Sequence, residues 1–310
     1  MLRSPQGSRA QGQPAPDPAG GSGESPARAD VSAGVPGVAP RATDVSAGGS
    51  GGSSPRANTA EAAAVTPRRT AGTGLARSIR LFRLFRLEQT EPDLFYSELA
   101  EDAADQLGRY AEFAGRTVVD VGGGAGLFTE AFRARGADCY LFEPDSSELL
   151  SRGDTPSGAV LADGFWLPVA DASADVCFSS NVLEHVADPP GLIEEMIRAT
   201  KPGGIIYLSF TNWYSPWGGH EMSPWHLLGA GYAARRYARR YGKPPKHTVG
   251  RNLFRVHIGP TLRLMRSRQD VELLDALPRY YPRWCKVVLW IPWLRELATW
   301  NLLLIIRRKT

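Results

Sequence analysis

The sequence predicts an α/β domain with a mostly parallel sheet and helices on both faces, preceded by a long tail that does not fold. Three observations carry that expectation. From Arg116 onward, short β-branched runs alternate with helical segments, the pattern of a parallel sheet with crossover helices. The first of those runs ends in a glycine loop, Gly122 to Gly126, and a helical stretch follows at once. The first aromatic residue of the 310 is Phe82, so the chain before it has almost nothing to bury.

That leading stretch is mostly Ala, Gly, Pro, Ser, Arg and Thr. It cannot offset its own chain entropy, so residues 1 to about 75 are expected to be disordered. An echo, Ala29-Asp-Val-Ser-Ala-Gly34 and Thr43-Asp-Val-Ser-Ala-Gly48, is too short for a repeat architecture. A start codon assigned too early, with the protein beginning near residue 65 to 75, accounts for the tail equally well. No apolar core follows Arg3, so a signal peptide is not expected. No apolar run approaches the ~18 residues of a membrane span. Residues 202–219 are uncharged, but Pro202, Gly203, Gly204, Asn212, Pro216, Gly218 and Gly219 exclude one. Cys139, Cys177 and Cys285 lie far apart and suit reduced thiols of a cytosolic protein. A net charge of +4 is too small to imply nucleic acid.

The elements follow in order. Arg77 to Leu87 places Arg80, Arg83 and Arg86 on one arc and Leu81, Phe82, Leu84 and Phe85 on the other, a short basic amphipathic helix. Asp93 to Phe113 is a second helix after Pro92. Strands are expected at 116–121, 138–142, 159–162, 174–179 and 205–210. Helices are expected at 125–135 and 190–200, the latter stopped by Lys201-Pro-Gly-Gly204. Residues 211–259 break the rhythm and read as an insertion. A helix at 260–268, a strand at 271–277, an apolar helix at 284–297 interrupted by Pro292 and a strand at 301–308 close the chain.

The chemistry concentrates where strands end. In Val118-Val-Asp-Val-Gly-Gly-Gly-Ala-Gly126, glycines 122, 124 and 126 let backbone approach a ligand where a Cβ would clash. A dinucleotide fingerprint needs glycine at 127, which is Leu127. Gly122, Gly124 and Gly126, preceded by Asp120, instead resemble motif I of class I S-adenosylmethionine-dependent methyltransferases. In that family the loop runs along the methionine and ribose parts of the cofactor. Glu143 ends the next strand, 21 residues after Gly122, where an acid accepts hydrogen bonds from ribose hydroxyls. Ala162-Asp-Gly-Phe-Trp-Leu-Pro168 resembles the family's adenine segment. The resemblance implies Asp163 at the adenine amine and Gly164 and Phe165 beside the ring. Ser179-Ser-Asn-Val-Leu-Glu-His-Val186 sits at the carboxyl end of strand four. It resembles the segment beside cofactor and acceptor, with Asn181 as a cofactor contact.

From Val118 to about Phe210 the chain is similar to the methyltransferase type 11 group. The stretch from Asn212 to Trp225 looks like that of uncharacterised methyltransferases from mycobacteria-like bacteria. The resemblance implies a Rossmann-like, seven-stranded sheet with its last strand antiparallel, and S-adenosyl-L-methionine as cofactor. A catalytically silent cofactor-binding scaffold or regulatory partner is the alternative.

The acceptor is less legible. His185, with an ordinary pKa of about 6.5, is a candidate general base, as are His220 and Glu221. In the family the histidine at position 185 also looks structural. Trp213, Tyr214, Trp217 and Trp225 follow strand five and either wall an acceptor pocket or form a satellite core. His220-Glu221 with His226 lacks the His-Glu-x-x-His spacing, so no metal is expected. Arg235, Arg236, Arg239 and Arg240 fall in a stretch, 232–251, without an acid, a density that asks for an anion. With the amphipathic segment at 77–87 and the apolar helix near 287–294, this favours a small-molecule, lipid-linked or envelope-related acceptor over RNA. A cytoplasmic protein touching the inner face of the membrane peripherally is the expectation.

Overall fold

Val118, Val119, Asp120 and Val121 are all buried, as a strand covered on both faces requires. They form β1 (Thr117–Val121), an interior strand of a seven-stranded sheet in the computed structural model, which describes residues 74–87 and 90–310. The expected disordered tail lies almost wholly outside the described residues.

The other strands are β2 (Asp138–Glu143), β3 (Ala159–Leu161), β4 (Ala174–Ser180), β5 (Thr200–Thr211), β6 (Val271–Pro278) and β7 (Asn301–Arg308). Their order is β3-β2-β1-β4-β5-β7-β6. β1 to β5 are mutually parallel. β7 runs antiparallel to both β5 and β6, so it alone is reversed. The expected mostly parallel, Rossmann-like sheet with an antiparallel last strand is the one observed.

Helices α1 (Leu75–Phe85), α2 (Pro92–Leu107) and α3 (Leu127–Arg133) are followed by the short α4 (Ser146–Leu149). Then come α5 (Pro189–Ala199), α6 (Ala230–Tyr241), α7 (Ile258–Ser267) and α8 (Pro292–Ala298). Two apolar clusters pack the two sheet faces. One joins Leu192, Met196 and Leu262 to Val119, Leu208 and Leu304; the other joins Leu99, Leu107 and Phe132 to Val118, Tyr207 and Ile305.

Several boundaries differ from expectation. β5 begins at Thr200, ahead of Pro202-Gly-Gly, because Thr200 pairs with Ala174 before a register shift brings Ile205 opposite Val176. α2 stops at Leu107, because Gly108 ends it before Phe113. The apolar segment near 284–297 is two pieces, a 3-10 helix Arg283–Trp290 and α8, broken at Ile291 before Pro292. The insertion is ordered. It holds 3-10 turns at His220–Met222 and Trp225–Leu228, helix α6, and its own small core of Trp213, Met222, Ala233 and Leu253.

Candidate active site

The glycine loop leaves the carboxyl end of β1 with Gly122, Gly124 and Gly126 at φ 72, 53 and 83°, a region where a Cβ is costly. Gly122 is pressed against Val182, where an added Cβ would come within 2.4 Å. Gly124 faces open space, with nothing within 4 Å of an added Cβ. One glycine thus packs the loop and another leaves an uncovered backbone surface.

Asp120 lies beneath this loop. It is 1% exposed and accepts a hydrogen bond from the Thr129 hydroxyl at 2.8 Å. Burial pushes its carboxyl up to about 7, against the pull of Thr129. An added Cβ on Gly123 would meet its Oδ2 at 2.5 Å. Asp120 therefore shapes the loop from behind, and its carboxylate does not reach the open side.

Glu143 caps β2 and accepts hydrogen bonds from the Gly124 N–H at 3.0 Å and the Asp145 N–H at 3.1 Å. Burial raises its pKa against those two donors. The carboxylate is thus fixed beside the open glycine, where ribose hydroxyls would donate to it. Asp163 is exposed, and its Oδ1 accepts from the Phe165 N–H at 3.0 Å. Gly164 backs onto Leu192 and Val121, leaving no room for a side chain there. Arg198, which sequence reasoning missed, holds this segment by donating to the Leu167 and Val169 carbonyls and to Asp171. Asn181 has a left-handed backbone, φ 58°, and its Oδ1 accepts from Asn301 Nδ2 at 2.7 Å.

Open backbone at Gly124, a fixed carboxylate at Glu143 and an exposed one at Asp163 fit S-adenosylmethionine. Glu143 would take the ribose, Asp163 the adenine amine, and the loop the methionine end.

Beyond Asn181 the chain turns through a 3-10 helix, Leu183–His185. Glu184 anchors that turn. Its Oε1 accepts from the Thr211 N–H at 2.9 Å, and its carbonyl accepts from the Phe254 N–H at 2.7 Å. The insertion folds back over this edge and reaches β2's side, where Lys246 pairs with Glu148 of α4 at 2.7 Å. Three histidines meet there. His185 Nε2 lies 3.2 Å from His220 Nε2, and the ring of His247 lies 5.1 and 4.5 Å from theirs. His185 Nδ1 donates to the Asn252 carbonyl at 2.8 Å. His247 Nδ1 donates to Glu221 at 2.7 Å, and the His247 N–H donates to the same carboxylate at 2.7 Å. Burial pushes Glu221 up, but the His247 bonds outweigh it and hold it down at about 2. Burial, then the neighbouring His185 and His247, lowers His220 to about 3.

Two sequence-level readings change here. Glu221 orients His247 and is too weak a base to take an acceptor's proton. His247 was not singled out at all, because 62 positions separate it from His185 and no local spacing links them. His226 stays apart, 1% exposed and bonded to the Trp213 carbonyl at 2.9 Å. The aromatic set divides. Trp213 is core of the insertion, whereas Trp217 packs on Phe85 and Trp300 at 5.1 and 4.1 Å.

Comparison with known proteins decides the family. Residues 119–208 match the family model described as a methyltransferase domain. A protein of Mycobacterium marinum described as an uncharacterized methyltransferase is 44% identical over 253 residues, covering 78% of this chain and 98% of that one. This chain belongs to the methyltransferase family. A Mycolicibacterium vanbaalenii protein of the same description is 45% identical to the methyltransferase over 243 residues, 75% of this chain and 94% of that one. A solved structure described as an S-adenosylmethionine dependent methyltransferase from Mesorhizobium loti shares 20% identity with it. That structure superimposes with a TM-score of 0.45, over 67% of this chain and 98% of that one.

Proposed function

We propose that this methyltransferase moves the methyl group of S-adenosylmethionine onto a small acceptor that is lipid-linked and presented at the inner, cytoplasmic face of a membrane. When bound, the cofactor supplies a methyl carbon already activated by the sulfonium. The chain's own work is then alignment and exclusion of water. The glycine loop and Glu143 fix the donor. The insertion covers the carboxyl edge of β4 and β5 and brings the histidine cluster to the acceptor side.

The observation that carries the membrane reading is a run of exposed tryptophans. Trp284, Trp290 and Trp293 are 72, 74 and 67% exposed. They lie in the connection from the end of β6 to the start of β7. Because β6 is parallel to β5 and β7 is reversed, that connection is at the same sheet edge as the site. Tryptophans suit the headgroup level of a bilayer. Arg235, Arg239 and Arg240 of α6, in a stretch without acids, suit anionic headgroups. No helix among the described residues is long and apolar enough to cross a membrane, so the contact proposed is peripheral.

The test is methyl transfer from labelled S-adenosylmethionine in an extract containing membranes, followed by solvent partition. Label in the lipid phase, with sedimentation on vesicles containing phosphatidylglycerol that is lost in Trp290→Ser/Trp293→Ser, is the expected result. Label confined to water-soluble products, with no vesicle binding, would overturn the lipid-linked acceptor. Label in RNA would overturn it too.

A further inference from the structure

With neutral rings, either tautomer of His220 leaves the histidine cluster with an unsatisfied nitrogen or with two lone pairs facing each other. The Asn252 carbonyl only accepts, so His185 carries its proton on Nδ1 and presents a lone pair on Nε2. If His220 donates Nε2–H to that lone pair, its buried Nδ1 is left without a hydrogen-bond partner. If the proton sits on Nδ1 instead, two lone pairs face each other at 3.2 Å. His247 is committed in the same way as His185, because its Nδ1–H goes to the Glu221 carboxylate and its Nε2 lone pair is left free. A cation between the rings takes up the lone pairs of His185, His247 and His220 Nε2, with the His220 proton then on Nδ1.

We propose that His185, His220 and His247 form a binding site for a divalent transition metal, zinc above others, with one position left open to the acceptor's heteroatom. One ligand atom from each histidine lies within 4.8 Å of the other two. Bonds of about 2.0–2.1 Å in a tetrahedral site place ligand nitrogens about 3.3 Å apart. The 3.2 Å pair already has that separation. The third ring must close by at most about 1.5 Å to complete the set. Imidazole suits zinc among the first-row ions, and three histidines plus an open position is a catalytic rather than a structural pattern. The surroundings also suit a metal. A carboxylate behind His247 and a carbonyl behind His185 fix ring orientation and tautomer, as outer partners of ligating histidines do. His220 holds a left-handed backbone, φ 51°, directly after the tightly packed Gly218 and Gly219, so the chain keeps this ring in place at a conformational cost. The ligand set differs from His220, Glu221 and His226, whose spacing gives no site.

The open position rests on the acceptor reading above; the metal site itself does not. An acceptor hydroxyl, thiol or amine bound there loses its proton to solvent more readily. Its lone pair then forms the bond to the methyl carbon, and the pair of the breaking C–S bond returns to sulfur, which becomes neutral.

The experiment is titration of the full chain with cobalt(II), followed by its visible absorption, with zinc as competitor and S-adenosylhomocysteine affinity measured alongside. One equivalent of cobalt with intense tetrahedral bands, displaced by zinc, is expected. The bands should vanish in His247→Asn and in His220→Asn, asparagine being tolerant of left-handed backbone. Glu221→Gln should weaken cobalt about 10–100-fold. Azide should shift the bands by entering the open position. Absent bands, or bands that survive both histidine variants, overturn the site; bands unmoved by azide overturn the open position. A chain that binds S-adenosylhomocysteine but not cobalt loses the metal alone, whereas one that binds neither loses the methyltransferase reading as well.

Discussion

Glu143 and Asp120 are both acids at strand ends, yet their surroundings assign them different work. Glu143 accepts two backbone N–H bonds and faces the open loop. Glu143→Gln removes the charge that holds Gly124 and would receive ribose hydroxyls. It should weaken S-adenosylhomocysteine by about 10–100-fold, the worth of one or two charge-assisted bonds. Calorimetric titration reads this directly. Asp120 is sealed beneath the loop with its pKa raised to about 7. Because the folded state holds this proton more tightly than the unfolded chain, the stability it supports is complete below about pH 4 and is lost as pH rises through 7. Asp120→Asn should remove that loss, flattening the urea midpoint between pH 4 and 7 by up to about 1.4 kcal/mol per pH unit. A wild-type-like slope in the variant would contradict the burial argument. Both acids were legible from position in the sequence. That only one of them faces the open side of the loop was not, because burial is set by Thr129 and Leu141, which pack behind the loop.

At the scale of elements, the core strands and helices follow from periodicity, and the motifs fall at strand ends as expected. What escaped the sequence was what fixes the segment between β3 and β4. Arg198, in the last turn of α5, bonds to Glu195, Asp171 and the carbonyls of Leu167 and Val169. This clamp holds Asp163 and Phe165 in register. Arg198→Leu should cost about 1–3 kcal/mol and lower cofactor affinity while leaving the sheet intact, which thermal unfolding and S-adenosylhomocysteine titration separate. The insertion, expected only as a break in the strand–helix rhythm, shows little of its order in the sequence for a related reason. Its order comes from a four-residue core and from long-range ties such as Phe254 N–H to the Glu184 carbonyl, neither of which leaves a periodic signature.

Across the whole molecule, the described N-terminal helix is tied to the C-terminal strands by buried charge. Arg77, 7% exposed, grips Asp102 of α2 with two hydrogen bonds and donates to the Arg279 carbonyl 202 residues away. Arg279 is itself buried. Its Nη1 bonds Ser180 and Ser209, at the carboxyl ends of β4 and β5, and Tyr207, Tyr280, Asp102 and Glu184 favour its charge against burial. Removing the carboxylate leaves the buried Arg77 without its ion-pair partner. Asp102→Ala should therefore destabilise by about 3–5 kcal/mol, seen as a lowered urea midpoint with an unchanged slope. A loss below about 1 kcal/mol would show that the pair is solvated in solution.

The sequence by itself determined the α/β class, the mostly parallel sheet, the glycine loop and the acids at its flanking strand ends. Those features are local, since periodicity, turn chemistry and strand-end position are written within some 20 residues of each other. The tertiary structure alone decided which acid faces the open loop and which histidines meet. It also decided where the exposed tryptophans sit. His185, His220 and His247 lie on separate segments, and only the return of the insertion over the carboxyl edge of the sheet brings their nitrogens within 4.8 Å. Such proximity depends on how independently specified elements pack, and linear spacing carries no record of it.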